Sequence, residues 1–288
     1  MNKPIKVLVM SVGTCSENGT AKWLNKLGAK DIATVCLPKQ FEEHADSYRK
    51  NGFDVYIYDQ DKYINDDFEF FGFKRRNCGG IGRQGIAEAV EKYGDDYILF
   101  ELDDDTASYV VRNSDGHATN IRSKEALECI VRVLNNFYED TRIELAGRTG
   151  ATIPSDDFIS NHKIFNNFVM HKGNDQNFKG FAALCSDDVR FNIYNNILNC
   201  HPMISTNKFS IGFTQNQGDR TDGNAVIYNG DYSWKKSWSL KMMAPWGVEQ
   251  RLVKETNRCL FRENIRASVL FPPICVADEK GQIVGKLQ

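Results

Sequence analysis

The 288-residue chain contains no Cys-x-x-Cys pair, although it carries eight cysteines, at positions 15, 36, 78, 129, 185, 200, 259 and 275. Scattered in this way they read as reduced thiols filling the interior, which excludes a disulfide frame or a zinc-ribbon site. No hydrophobic run approaches the length of a bilayer span. The apolar stretch Val7-Leu8-Val9-Met10 is too short for a signal peptide and lacks a small-residue cleavage site. No membrane association is expected, and the cytoplasm is the expected compartment. A strong net charge is also missing: the formal value is −2, so there is no overall nucleic-acid signature. The distribution is less even, with 12 Lys/Arg against 8 Asp/Glu after residue 200 and 24 against 30 before it. A mildly basic part behind an acidic one points weakly to a polyanionic partner. At 41% hydrophobic and 26% charged residues, the composition suits one large domain or two modest ones.

Hydrophobic strands alternate with helical segments through the first hundred residues. Residues 6–12 read as a buried strand, followed by a loop from Gly13 to Gly19 and a short helix over 20–27 that Gly28 stops. A strand over 32–37, a polar helix over 40–50 ended by Asn51-Gly52 and a strand over 54–58 come next. Glycine-rich residues 79–87 then open a helix to about Tyr93. This alternation predicts a mainly parallel α/β sheet flanked by helices. A helix over 121–137 carries Leu127, Ile130, Val131, Leu134 and Phe137 on one core-facing stripe. Residues 147–180 read as strands and loops without a period, and they include His162 and His171, each more simply a satisfied histidine than a ligand.

The chain is organised around Tyr97-Ile98-Leu99-Phe100-Glu101-Leu102-Asp103-Asp104-Asp105, an apolar strand that stops in three consecutive carboxylates. Side chains alternate across a strand, so Asp103 and Asp105 fall on one side just past its end. Two carboxylates held together need a cation to offset their desolvation. A hard divalent ion takes a few carboxylates and completes its shell with phosphate oxygens and water. The plain alternative is a solvated acidic turn. The context favours a site, because ligands of parallel sheets bind beyond the carboxyl ends of the strands, where the loop after Val12 also emerges.

Gly79-Gly80-Ile81-Gly82-Arg83 does not spell the dinucleotide fingerprint. Glycines at a helix start do allow close approach of an anion to backbone amides. Arg83, with Arg75 and Arg76 upstream, could add charge against a diphosphate. For Arg75 and Arg76 a solvated role is an equal reading; for Arg83 the functional one is preferred. Asp187 and Asp188 precede an amphipathic segment over 189–198, and two readings stand for them: a general base near an acceptor hydroxyl, or helix-start acids favoured by the dipole. From Lys208 the chain reads as strand, polar loop and an aromatic-rich stretch. A helix is expected from Trp246 onward, with Arg251, Lys254, Arg258 and Arg262 as a basic stripe beside Lys235 and Lys236. Such a stripe is either a solvated face or part of a nucleic-acid groove.

The ordered set of residues 7–13, 75–87, 99–105 and 186–191 resembles GT-A nucleotide-sugar glycosyltransferases. More specifically, it is similar to the glycosyltransferases associated with TET/JBP oxygenases in phages, related to the enzyme that glucosylates hydroxymethyluracil in kinetoplastid DNA. The likeness covers about the first two hundred residues. It implies a GT-A-like, Rossmann-like domain over 1–205, and the remainder, 206–288, forms a C-terminal α/β extension on the acceptor side. The resemblance further implies that Asp103 and Asp105 hold Mn²⁺ or Mg²⁺ on the diphosphate of a donor, a UDP-sugar foremost. Asp104, Arg76, Gly80 and Arg83 would lie near the phosphates, and Val12, Gly13 and Thr14 near the nucleoside. Asp187 or Asp188 would serve as base or acceptor anchor, in a motif where Ser186 replaces the family's glutamate. The acceptor it implies is a 5-hydroxymethylpyrimidine in double-stranded DNA, modified in the host cytoplasm if the chain is phage-encoded. Three rivals remain: a transferase for a polysaccharide or small molecule, a nucleotidyltransferase, and a non-catalytic nucleic-acid-binding protein on a transferase scaffold.

Overall fold

The computed structural model describes residues 3–63, 79–149, 158–159, 169–172, 193, 203–213, 233–255, 258–266, 269 and 274–287. In chain order the first elements are β1 (Ile5–Met10), α1 (Gly19–Leu27), β2 (Ala33–Pro38), α2 (Ala45–Lys50), β3 (Asp54–Tyr58), α3 (Gly79–Tyr93) and β4 (Ile98–Leu102). Then follow β5 (Thr106–Arg112), β6 (Ala118–Asn120), α4 (Lys124–Thr141), β7 (Glu144–Thr149), β8 (Phe158–Ile159) and β9 (Val169–Met170). The described chain closes with β10 (Met203–Phe213), α5 (Ser233–Met243), β11 (Val248–Glu255), β12 (Arg258–Ile265), β13 (Ile274–Ala277) and β14 (Ile283–Leu287).

Strand β1 is buried at every position and lies at the centre of a sheet ordered β3-β2-β1-β4-β9. The pairings β1–β2, β1–β4 and β2–β3 are parallel, and β9 joins β4 antiparallel. A strand buried on both faces is mostly apolar on both, which is why β1, β2 and β4 read as largely hydrophobic runs, interrupted by Lys6, Thr34 and Glu101. One face packs Val7, Val9, Phe100 and Leu102 against α1, α2 and α4. The other packs Leu8, Met10 and Leu99 against Ile86, Ala89 and Val90 of α3. The fold is therefore mixed α/β and Rossmann-like, a mostly parallel sheet with helices on both faces.

Local chemistry sets the helix ends. Asn18 caps α1 by accepting from the Ala21 amide at 2.7 Å, satisfying one of the donors a helix start leaves over. Gly28 closes α1 at φ +70°, a conformation open to glycine at little cost. Ser123 caps α4 in the same way.

A second sheet, ordered β6-β5-β10-β7 with β8 on β10, grows directly from the acidic turn through β5. Two expectations are corrected here. The domain boundary at 205/206 falls inside β10, which runs unbroken from Met203 to Phe213 and pairs with β5, β7 and β8. Those residues complete the second sheet and do not begin an extension. The helix expected from Trp246 is a β-hairpin, in which β11 pairs antiparallel with β12. Val248, Val253 and Ile265 are β-branched and Phe261 is aromatic, residue types that favour strands. Helical spacing does not survive in a strand. The register sets Arg251 opposite Arg262, Lys254 opposite Cys259 and Arg258 opposite Glu255. The four basic residues are therefore spread over two paired strands and not along one helix. No described helix is long and apolar enough to cross a membrane.

Candidate functional site

The strand order brings the chain from β1 to β2 and β3 on one side and back to β4 on the other, so the loops after β1 and β4 leave the sheet beside each other. A crevice at this reversal is where open parallel sheets bind ligands. The register Val9↔Leu102 puts Asp103 level with Met10, at the carboxyl ends of both strands.

Thr20, in the first turn of α1, joins the two loops. Its amide donates to the Asp104 carbonyl at 3.1 Å, its hydroxyl donates to the Asp103 carbonyl, and that hydroxyl accepts from the Thr106 amide at 2.9 Å. The acidic turn is thus held on both sides by one threonine. The Asp104 amide donates to the Asp103 carboxylate at 3.1 Å, which tightens the turn further.

The loop after β1 is held by the Tyr48 hydroxyl of α2, itself fully buried. This hydroxyl donates to the Gly13 carbonyl at 3.0 Å, accepts from the Asn18 amide at 3.2 Å and meets the Ser11 hydroxyl at 2.8 Å. Burial pushes the Tyr48 phenol up to about 12, with the hydrogen bonds from Ser11 and Asn18 pulling the other way. Thr14 is fixed separately, its amide and hydroxyl both donating to the Glu17 carboxylate at 2.8 Å. Val12, Gly13 and Thr14 are half-buried and line this loop beside the acidic turn.

Asp103 and Asp104 are half-buried, whereas Asp105 is 5% exposed and sits beneath the turn. The donors are all hard carboxylate oxygens, the chemistry suited to Mg²⁺ or Mn²⁺. Among the described residues no three His, Cys, Asp or Glu side chains converge to enclose a cation. Of the expected pair, Asp103 is the more accessible.

Arg83 departs from expectation. Its position three and seven residues before Ile86 and Val90 places it on the inner face of α3, and its side chain is fully buried in an ion pair with Glu101 of β4. It does not project toward a donor phosphate. The glycines around it serve close packing: a Cβ at Gly82 would lie 3.0 Å from the Met10 sulfur, and one at Gly85 only 2.3 Å from the Tyr58 ring. Gly80 lies in the first turn of α3.

His171 is satisfied at the opposite end of the sheet. Its Nδ1 lies 2.7 Å from the Glu144 carboxylate, and its ring stacks on Tyr138 at 3.7 Å. Because Met170 pairs with Leu99, His171 sits near the start of β4, about 17 Å from Asp103 at strand rise. Lys235 and Lys236 lie on α5. Arg75, Arg76, His162, Asp187 and Asp188 lie outside the described residues. The sequence reading missed Thr20, Tyr48, Ser11 and Glu101; only Asn18 left a signal, as a capping residue before a helical run.

No protein-family model and no curated protein matches the chain. Among solved structures, the crystal structure of a mycobacterial protein aligns over 91% of this chain and 84% of its own, with 8% identity and a TM-score of 0.48. A likeness of that size assigns neither a family nor an activity.

Proposed function

We propose that this chain is a metal-dependent glycosyltransferase of GT-A type that moves a sugar from a nucleotide sugar, a UDP-sugar foremost, to a hydroxyl. The observation that carries this reading is the Asp103–Asp105 turn, stitched through Thr20 to the start of α1 at the crevice between β1 and β4. Carboxylates and a buttressed loop at one strand-end crevice supply two things a nucleoside diphosphate needs: cation ligands and a rigid wall.

Asp103, with Asp105 beneath it, would hold Mn²⁺ or Mg²⁺. When bound, the ion neutralises the charge that develops on the departing diphosphate. The Thr20 contacts keep the turn from yielding as that charge builds. The Tyr48 hub keeps the 12–14 loop in one shape for the nucleoside, so little ordering cost falls on binding. The base role of Asp187 or Asp188 and the acceptor, a 5-hydroxymethylpyrimidine in DNA, rest on the family resemblance. A C5 substituent projects into the major groove, so its hydroxyl is reachable without extruding the base.

The test is release of free nucleotide from UDP-, GDP- and CDP-sugars with Mn²⁺ or Mg²⁺. It is run with no acceptor, with unmodified DNA, and with DNA carrying hydroxymethylcytosine or hydroxymethyluracil. Release stimulated only by hydroxymethylated DNA supports the whole reading. Metal-dependent release indifferent to DNA keeps the transferase and discards the acceptor. Absence of turnover with every donor overturns the enzyme.

A further inference from the structure

The Arg83–Glu101 ion pair is the most deeply enclosed charge in the described chain, with both side chains at 0% exposure. Glu101 is the penultimate residue of β4, two residues before Asp103. Arg83 comes from the second turn of α3, at the level where Gly82 brings that helix against Met10 at the end of β1. The pair thus ties a helix start to the strand end that carries the acidic turn.

Packing alone does not require it. Taking two full charges out of water costs much of what their attraction returns, and apolar residues of similar volume commonly replace such pairs without loss of stability. What a guanidinium–carboxylate contact adds is direction, because its planar donor fork accepts only a narrow range of geometries. Leucine and methionine would fill the same space while leaving the last residues of β4 freer to shift.

We infer that Arg83 and Glu101 are positioning residues, which fix the end of β4 so that Asp103 and Asp105 stand ready for the divalent ion and the diphosphate. The inference rests on the acidic turn being the ion's anchor. Arg83 acts on the ligand through Glu101 and the strand, and touches neither ion nor phosphate.

The experiment compares wild type, Asp103→Ala, Glu101→Gln and the double variant Arg83→Met/Glu101→Leu. Free Mn²⁺ is followed by electron paramagnetic resonance with and without UDP, beside thermal unfolding. The double variant is expected to keep the wild-type melting temperature within a few degrees while binding Mn²⁺–UDP at least tenfold more weakly. Wild-type binding in the folded double variant overturns the inference and leaves the pair a packing feature. Should the double variant fail to fold, Glu101→Gln, which keeps volume and shape, decides: several-fold weaker binding supports positioning, and unchanged binding overturns it. Unchanged binding in Asp103→Ala sinks the acidic turn itself as the ion's site, an outcome distinct from failure of the pair alone.

Discussion

The two ends of the parallel sheet handle charge in opposite ways. At the amino end, charges are matched one to one: Lys6 reaches Asp54 at 3.2 Å and lies over the Tyr93 and Tyr97 rings, Lys172 pairs with Asp95 at 2.5 Å, and His171 meets Glu144. At the carboxyl end, three consecutive carboxylates are gathered in one turn, and the surrounding polar groups hold the backbone of that turn in place. Both ends are built from the same strands, so sheet packing does not account for the difference. On the reading proposed above, the carboxyl end is where the divalent ion and the diphosphate bind.

The comparison breaks most sharply at Asp103 and His171. Asp103→Ala is expected to lower metal-dependent nucleotide release at least a hundredfold, roughly 3 kcal/mol of transition-state stabilisation. Its melting temperature should stay near that of wild type, since the residue is half-buried in a turn held by Thr20. His171→Gln is expected to leave release within twofold of wild type while costing about 1 kcal/mol of stability in urea denaturation. Equal losses of activity in both variants would erase the distinction between the two ends.

Much of this contrast was legible in the sequence. The predominantly apolar runs over β1, β2 and β4 marked the parallel sheet, because strands covered on both faces have no exposed polar side. The abrupt change from Leu102 to Asp103 marked the carboxyl end. The role of Arg83 was not legible, because a charged residue beside glycines gives no local sign of which helix face will meet the sheet. The buttress was hidden for another reason: Thr20 and Asp103 are joined across 83 positions of chain, and Tyr48 and Ser11 across 37. The C-terminal hairpin misled because lysines and arginines spaced three and four apart imitate a helix face. Its alternation of Val248, Gln250, Leu252 and Lys254 is too polar to assert a strand.

Gly85 sharpens the comparison from the side of α3. An added methyl would meet the Tyr58 ring at 2.3 Å, so either the ring or the helix has to move. Overpacking of this kind costs about 1–3 kcal/mol, read as a lower urea midpoint for Gly85→Ala. Because α3 packs against the end of β1 and carries Arg83, the displacement should also weaken Mn²⁺–UDP binding. A glycine-to-alanine change at the exposed hairpin position Gly116 has no such route to the site; its φ of +85° makes it strained, so it should lower stability and leave binding unchanged.

The smallest expected effect tests the loop after β1 through pH. The Tyr48 phenol is held at about 12 in the folded chain against an ordinary value of 10.0, principally by burial. A group whose folded value is raised contributes its stability in full below the unfolded value and loses it as pH climbs through the folded one. Wild-type stability should therefore decline between about pH 10 and pH 12. The Tyr56 and Tyr63 phenols, raised by burial and by hydrogen bonds to Glu88, contribute in the same direction. Tyr48→Phe removes one share of that decline and leaves theirs. At pH 7 the same variant deprives Ser11, Gly13 and Asn18 of their common partner, at a cost of about 1–2 kcal/mol. The loop it frees is the wall proposed for the nucleoside, so UDP affinity should fall several-fold even where the protein stays folded. A variant with wild-type UDP affinity and a flattened alkaline decline would make Tyr48 a structural phenol alone, and would move the nucleoside away from Val12, Gly13 and Thr14.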